Sequence, residues 1–172
     1  WVKENFQFVP NTPYAVSRAA CDLHLMSFFK AYGFPVVFTR SANVYGPYQQ
    51  PFRIIPRAML YTKMNRKLQL HGGGKSVRSF IHVKDVANAT LKISLDGIPG
   101  TSYHISTRSS LSIRELVEKI CQFTGTFFEK LVEESEELLG KDQNYLLDSS
   151  KLRKELDWKD NIDLDRGLTD TM

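Results

Sequence analysis

From residue 13 to residue 32 the apolar positions Val16, Ala20, Leu23, Met26 and Phe29 recur every three or four residues. That spacing predicts a long amphipathic helix. Pro10, Asn11 and Thr12 supply turn chemistry before it, Pro13 suits a first helical position, and Gly33 supplies the stop. The next run, Phe34-Pro35-Val36-Val37-Phe38-Thr39-Arg40, is apolar without alternation. It reads as a strand buried on both faces of a parallel sheet, so helix followed by strand predicts an α/β fold. Further on the pattern predicts a loop at Asn43-Val44-Tyr45-Gly46-Pro47-Tyr48, a helix over 52–64 and a short strand over 67–70. After the glycines at 72–74 it predicts one alternating strand over 76–83, then a helix over 84–95 and a strand near 101–105. A helix over 112–123, a strand near 128–132 and two closing helices complete the order. The acidic run Glu133-Glu134-Ser135-Glu136-Glu137 reads as a solvated loop or helix start, and no internal repeat is present.

Composition changes this picture little. A chain of 172 residues with 42% hydrophobic and 24% charged residues is globular in character. A compact body of that size buries about 70% of its extended surface. The net charge of +4 and an isoelectric point near 9.0 suit an anionic ligand such as a sugar diphosphate, and equally a weak nucleic-acid contact. Cys21 and Cys121 lie far apart with no C-x-x-C spacing, so reduced, buried thiols are expected rather than a disulfide or a zinc site. No apolar run approaches the roughly 20 residues that span a bilayer. Trp1-Val2-Lys3-Glu4 does not resemble a signal peptide, and a cytoplasmic protein is expected.

Tyr14-Ala15-Val16-Ser17-Arg18 places an aromatic hydroxyl and a cation four residues apart, on one helical face, where both can point into one pocket. The same spacing also occurs as a plain aromatic–cation pair on a helix surface. Gly74-Lys75-Ser76 looks like the end of a phosphate-binding loop, but the first glycine of that motif falls on Gln69, and a strand rather than a helix is expected to follow. Asn88-Ala89-Thr90 fits a glycosylation sequon inside a predicted helix, without a secretory signal. His24, His71, His82 and His104 share no metal-ligand spacing.

Read in order, the segments P-N-T-P-Y-A-V-S-R-A-A, Y-G-F-P-V-V-F-T-R, N-V-Y-G-P-Y, I-I-P, G-G-G-K-S-V-R-S-F-I-H-V-K-D-V-A and L-D-S-S-K-L-R-K-E-L-D-W span essentially the whole chain. Together they resemble the extended short-chain dehydrogenases/reductases that act on nucleotide sugars, most like the NDP-glucose (dTDP-glucose) 4,6-dehydratases. The resemblance implies the carboxy-terminal part of a Rossmann-like, doubly wound parallel sheet plus a smaller mixed α/β substrate lobe. Residues 1–50 would close the NAD-binding domain, and 51–172 would form mostly the substrate lobe, with some elements returning to the sheet. No G-x-x-G-x-x-G occurs, so the glycine-rich turn that receives the NAD pyrophosphate is expected to lie upstream, and the chain to be a fragment.

The resemblance also implies roles for residues. Tyr14 would be the acid/base for the sugar hydroxyl, and Arg18 stands where the family has a lysine that holds the nicotinamide ribose. A free phenol ionises near pH ~10, so a fixed cation is needed beside it to favour the phenolate at neutral pH. Arginine supplies the charge but not the point geometry of an ammonium. Asn43 would touch the diphosphate region; a turn-capping asparagine reads equally well. Arg53 falls on the family's lysine in P-E-K-L-I-P, next to Ile54, and Arg78 would clamp phosphate with its bidentate donors. Gln69, Leu70 and His71 would pack the nucleotide base, usually with tyrosine at the last place. His104 stands where many dehydratases have asparagine, and Leu138 where many have a second phosphate-binding arginine.

On this resemblance the full-length parent oxidises C4 of a nucleotide-linked hexose with NAD, loses water across C5 and C6, and returns the hydride to C6. The alternative is a 4-epimerase, since the acidic pair that drives dehydration lies upstream of Trp1. A further alternative, which Arg18 favours, is a non-catalytic binding or scaffold relative. The expected partners are a nucleotide sugar and a second copy docked through the Tyr14 helix; a membrane is not expected and nucleic acid is disfavoured.

Overall fold

Pro13 opens the first helix, α1 (Pro13–Tyr32), in the computed structural model, which describes residues 1–5, 7–136 and 143–172. The Thr12 hydroxyl accepts the Ala15 N–H, and Gly33 closes the helix in the left-handed conformation that glycine adopts without strain. After it come β1 (Phe38–Ser41), β2 (Asn43–Tyr45), α2 (Ile54–Met64), β3 (Leu68–His71), β4 (Val77–Arg78), β5 (Phe80–His82) and α3 (Val83–Asp96). The order continues with β6 (Ser102–Ile105), β7 (Leu111–Ser112), α4 (Ile113–Thr124), α5 (Phe128–Leu131), β8 (Val132–Ser135), β9 (Asn144–Tyr145), α6 (Ser150–Glu155) and α7 (Leu164–Thr171).

The strands pair β1 with β6, β2 with β5, β3 with β8 and β4 with β9, all parallel, and β4 with β7 antiparallel. Parallel pairs joined through helices make this an α/β fold. β1 and β2 form one bent course. Ala42 donates its N–H to Ile105 O and Asn43 donates to Ser79 O, so the chain leaves its partner β6 and takes up β5 within two residues.

Two cores result. Ala42, Ile81, Ala89, Ile93, Tyr103, Ile105, Leu152 and Trp158 bury α3 and α6 against β5 and β6. Tyr45, Ile55, Met59, Leu68, Leu70, Leu116, Ile120 and Leu168 gather α2, α4 and α7 around β3. The second core is set by α4, whose Ser112 and Glu115 form a reciprocal capping box and whose Leu116, Val117, Ile120 and Cys121 face inward.

Several expectations are corrected. The helix over 13–32 forms, but no residue of α1 is buried; Val16 and Leu23, expected inside, are about half exposed. Phe29, half-buried, packs so closely on Gly100 that a β-carbon there would collide with its ring. The strand expected over 34–40 is shorter, starting at Phe38: Phe34 is exposed and Pro35 has no N–H to give a ladder. Val36 and Val37 are half-buried and Phe38 is buried, but Thr39 faces out, so this strand is not covered on both faces. The strand over 76–83 is broken into β4 and β5 at Ser79, whose hydroxyl donates to Ser109 O. A helical turn, α5, replaces the strand near 128–132, and the acidic residues after it form β8. Cys21 is exposed on α1, whereas Cys121 is buried as expected. Leu138 lies outside the described residues.

Candidate active site

As the second residue of α1, Tyr14 projects from the helix at 75% exposure, and Arg18 and Asp22 follow at intervals of four. All three line one cavity of about 760 Å³. Its other walls come from the residues before α1, including Lys3, from Arg40 on β1 and from His104 on β6. The helical spacing predicts a shared face for Tyr14 and Arg18, and both residues line this cavity. A smaller cavity of about 220 Å³ beside Trp1 and Arg108 holds none of the candidate residues.

The charges in the large cavity are unevenly satisfied. Arg40 Nε and Nη2 both donate to Asp22 Oδ2, at 3.2 and 2.7 Å. Nη1 donates to Ser102 Oγ and Asn5 O, and the guanidinium lies 4.9 Å over the Phe8 ring. Arg18 makes no hydrogen bond or ion pair among the described residues. A cation without a side-chain partner among the described residues thus lines the same cavity as Tyr14.

His104 is buried at 2% exposure. Its backbone N–H donates to Glu4 Oε1 at 3.0 Å and its Nδ1–H to Val2 O at 3.1 Å. Burial, aided by the nearby Arg40 charge, lowers its pKa below the usual imidazole range against the opposing pull of Glu4. It reaches the cavity as a neutral ring that also ties down the segment entering α1.

The remaining candidates do not line this cavity. Asn43 opens β2 beside β5, and Arg78 is nearby on β4, with Nη1 donating to Val77 O at 2.7 Å and Gln143 O at 3.2 Å. Arg53 is exposed just before α2, with its guanidinium 5.4 Å over Phe52, while Ile54 packs on the second core. Gln69 is exposed, and His71 Nδ1 lies 2.7 Å from Ser135 Oγ and 3.3 Å from Glu136 O. Leu70 is buried at 2%, so its side chain belongs to the core. Sequence reasoning missed Asp22 and Arg40. Asp22 is signalled by its place one turn after Arg18, whereas the Arg40 contact depends on how β1 meets α1.

The model of the GDP-mannose 4,6-dehydratase family matches residues 1–171. The chain belongs to that family. Mouse dTDP-D-glucose 4,6-dehydratase is 34% identical to it over 168 residues, 95% of this chain and 47% of the mouse protein. A trifunctional UDP-glucose 4,6-dehydratase/UDP-4-keto-6-deoxy-D-glucose 3,5-epimerase/UDP-4-keto-L-rhamnose-reductase of Arabidopsis thaliana is 34% identical over 98% of the chain and 25% of its own length. The chain therefore spans about half the length of the single-function dehydratase and a quarter of the trifunctional one. Among solved structures, a dTDP-glucose 4,6-dehydratase of Streptomyces venezuelae with NAD and TYD bound superposes with a TM-score of 0.94 at 32% identity, over 99% of this chain and 52% of that one. The UDP-glucose 4-epimerase of Thermotoga maritima, with UDP-glucose, gives 0.86 at 25% identity, over 95% and 53%. The Rossmann-like α/β assignment of this family member stands on these likenesses. Among the described residues no helix is long and apolar enough to cross a membrane.

Proposed function

We propose that this sequence supplies the carboxy-terminal part of an NAD-dependent nucleotide-sugar 4,6-dehydratase of the cytoplasm, which converts an NDP-glucose to its NDP-4-keto-6-deoxy form. The observation that carries the reading is that Tyr14 and Arg18 line one cavity, with Arg18 unpaired among the described residues, within a chain of this family. NAD, when bound, accepts and returns a hydride. Tyr14 takes the proton of the sugar hydroxyl, and Arg18, on the same helix face, would hold the nicotinamide ribose. Residues 1–50 close the cofactor-binding domain, and 51–172 supply mostly the substrate lobe, with some elements returning to the sheet, as the packing of β5, α3 and β6 with Ala42 suggests. Asn43 and Arg78 meet the sugar diphosphate, Gln69, Leu70 and His71 the nucleotide base, and Arg53, Ile54 and His104 are further substrate-binding residues. α1, with no buried residue, supports a homodimer formed through this helix.

In a full-length dehydratase carrying this sequence, Tyr14→Phe is expected to cut turnover by ~10²–10⁴ while the substrate still binds. Arg18→Lys should preserve or raise turnover, and Arg18→Ala should lower it. Unchanged turnover in Tyr14→Phe removes the pair from catalysis. The 172-residue chain alone is expected neither to bind NAD tightly nor to turn over, and micromolar NAD affinity by calorimetry would refute that. The likeness to the Thermotoga epimerase supports a second reading, 4-epimerisation. Product analysis by NMR separates a 4-keto-6-deoxy sugar from an epimer.

A further inference from the structure

Asp22 is the acid that lines the cavity between Tyr14, Arg18 and the β1 wall. It stands four residues after Arg18 on the same helical face, at the spacing where cation and carboxylate reach one another. They do not pair. Both close donors of Arg40 converge on one oxygen of Asp22, and the ion pair is sheltered, with the two side chains at 19% and 22% exposure. Arg40 in turn is fixed from three other sides, by Ser102 on β6, by the Asn5 carbonyl and by the Phe8 ring.

We propose that Arg40 is a positioning residue: by holding the Asp22 carboxylate it keeps Arg18, one helical turn away, unpaired and available to an anionic or hydroxyl-bearing ligand in the cavity. With Asp22 neutralised from the β1 side, the cations of the cavity wall that form no ion pair among the described residues are Arg18 and Lys3. Without Arg40, Asp22 becomes a sheltered carboxylate lacking its partner. Its nearest replacement cation on the same helix face is Arg18, and the pair that forms withdraws that cation from Tyr14 and adds negative charge where a diphosphate or ribose must approach. The inference rests on the reading of Tyr14 and Arg18 as the reacting pair, and it assigns a task to two residues that need not touch substrate.

Epistasis tests it. In a full-length dehydratase carrying this sequence, kcat and KM are measured for Arg40→Gln in two backgrounds, wild type and Arg18→Ala, and for Asp22→Asn/Arg40→Gln, with circular dichroism melts to establish equal folding at the assay temperature. The expected result is a roughly 3–10-fold loss of kcat/KM from Arg40→Gln in the wild-type background, with no further loss in the Arg18→Ala background, and recovery of most of the loss when Asp22 is also neutralised. A purely structural ion pair gives the same fractional loss in both backgrounds, and that result overturns the proposal. If Arg18→Ala and Tyr14→Phe themselves leave turnover unchanged, the underlying catalytic reading fails instead, so the two failures are distinct. Should Arg40→Gln not fold, Arg40→Lys serves: it keeps a charge near Asp22 but not the fork, and an Arg18-independent loss sinks the idea equally.

Discussion

Gly167 on α7 lies against the ring of Tyr45 on β2 so closely that a β-carbon at position 167 would overlap the tyrosine hydroxyl. Glycine inside a helix normally costs about 1 kcal/mol relative to alanine, so the close approach sets the residue here rather than helix propensity. Gly167→Ala is therefore expected to destabilise the fold by about 1–3 kcal/mol through overpacking, reversing the usual sign. Urea unfolding checks it; an unchanged or raised midpoint would mean that α7 can withdraw from Tyr45 without loss.

The same tyrosine carries a pH prediction. Burial first, then the carboxylates of Asp163, Asp85 and Asp165, push its phenol well above the ordinary value of 10.0. A group whose folded pKa is raised contributes stability that is fully present below the unfolded pKa and is lost as pH rises from there through the folded value. Stability should accordingly fall above about pH 10, and Tyr45→Phe should flatten that fall. Denaturant midpoints of both proteins at about pH 8 and about pH 11 decide it: parallel losses in the two would assign the alkaline instability elsewhere.

Asp85, at 3% exposure near the start of α3, accepts the backbone N–H groups of Asn161 and Ile162 at 3.1 and 3.0 Å. It fastens the segment that leads into α7. Asp85→Ala is expected to cost about 1.5–3 kcal/mol, since two sheltered donors lose a charged acceptor. Asp85→Asn, which keeps one acceptor oxygen, should cost less. Hydrogen exchange at the two amides gives an independent readout, and protection in Asp85→Ala equal to wild type would refute the fastening role.

Much of the fold was legible because its causes are local. Thr12, Pro13 and Gly33 mark both ends of α1, and Ser112 with Glu115 mark the start of α4, through hydrogen bonds spanning at most four residues. The stretch at 128–135 was misread for the opposite reason. A short apolar run carries too little periodicity to separate a helical turn from a strand. β8 is held by backbone pairing with β3, which asks nothing of its glutamate side chains.

The candidate site divides in the same way. Tyr14 and Arg18 share a face because a helix has 3.6 residues per turn, a fact fixed by the sequence of α1 alone. That the face opens on a cavity, that Leu70 is sealed in a core, and that Asp22 is taken by Arg40 and not by Arg18 were decided by the tertiary structure. The sequence by itself determined which segments become helix or strand where caps and periodicity act within a turn or two. The approach of Asp22 on α1 to Arg40 on β1 decided which charges meet, because ion pairs are chosen by distance and shelter in space, and neither is written in the spacing of residues along the chain.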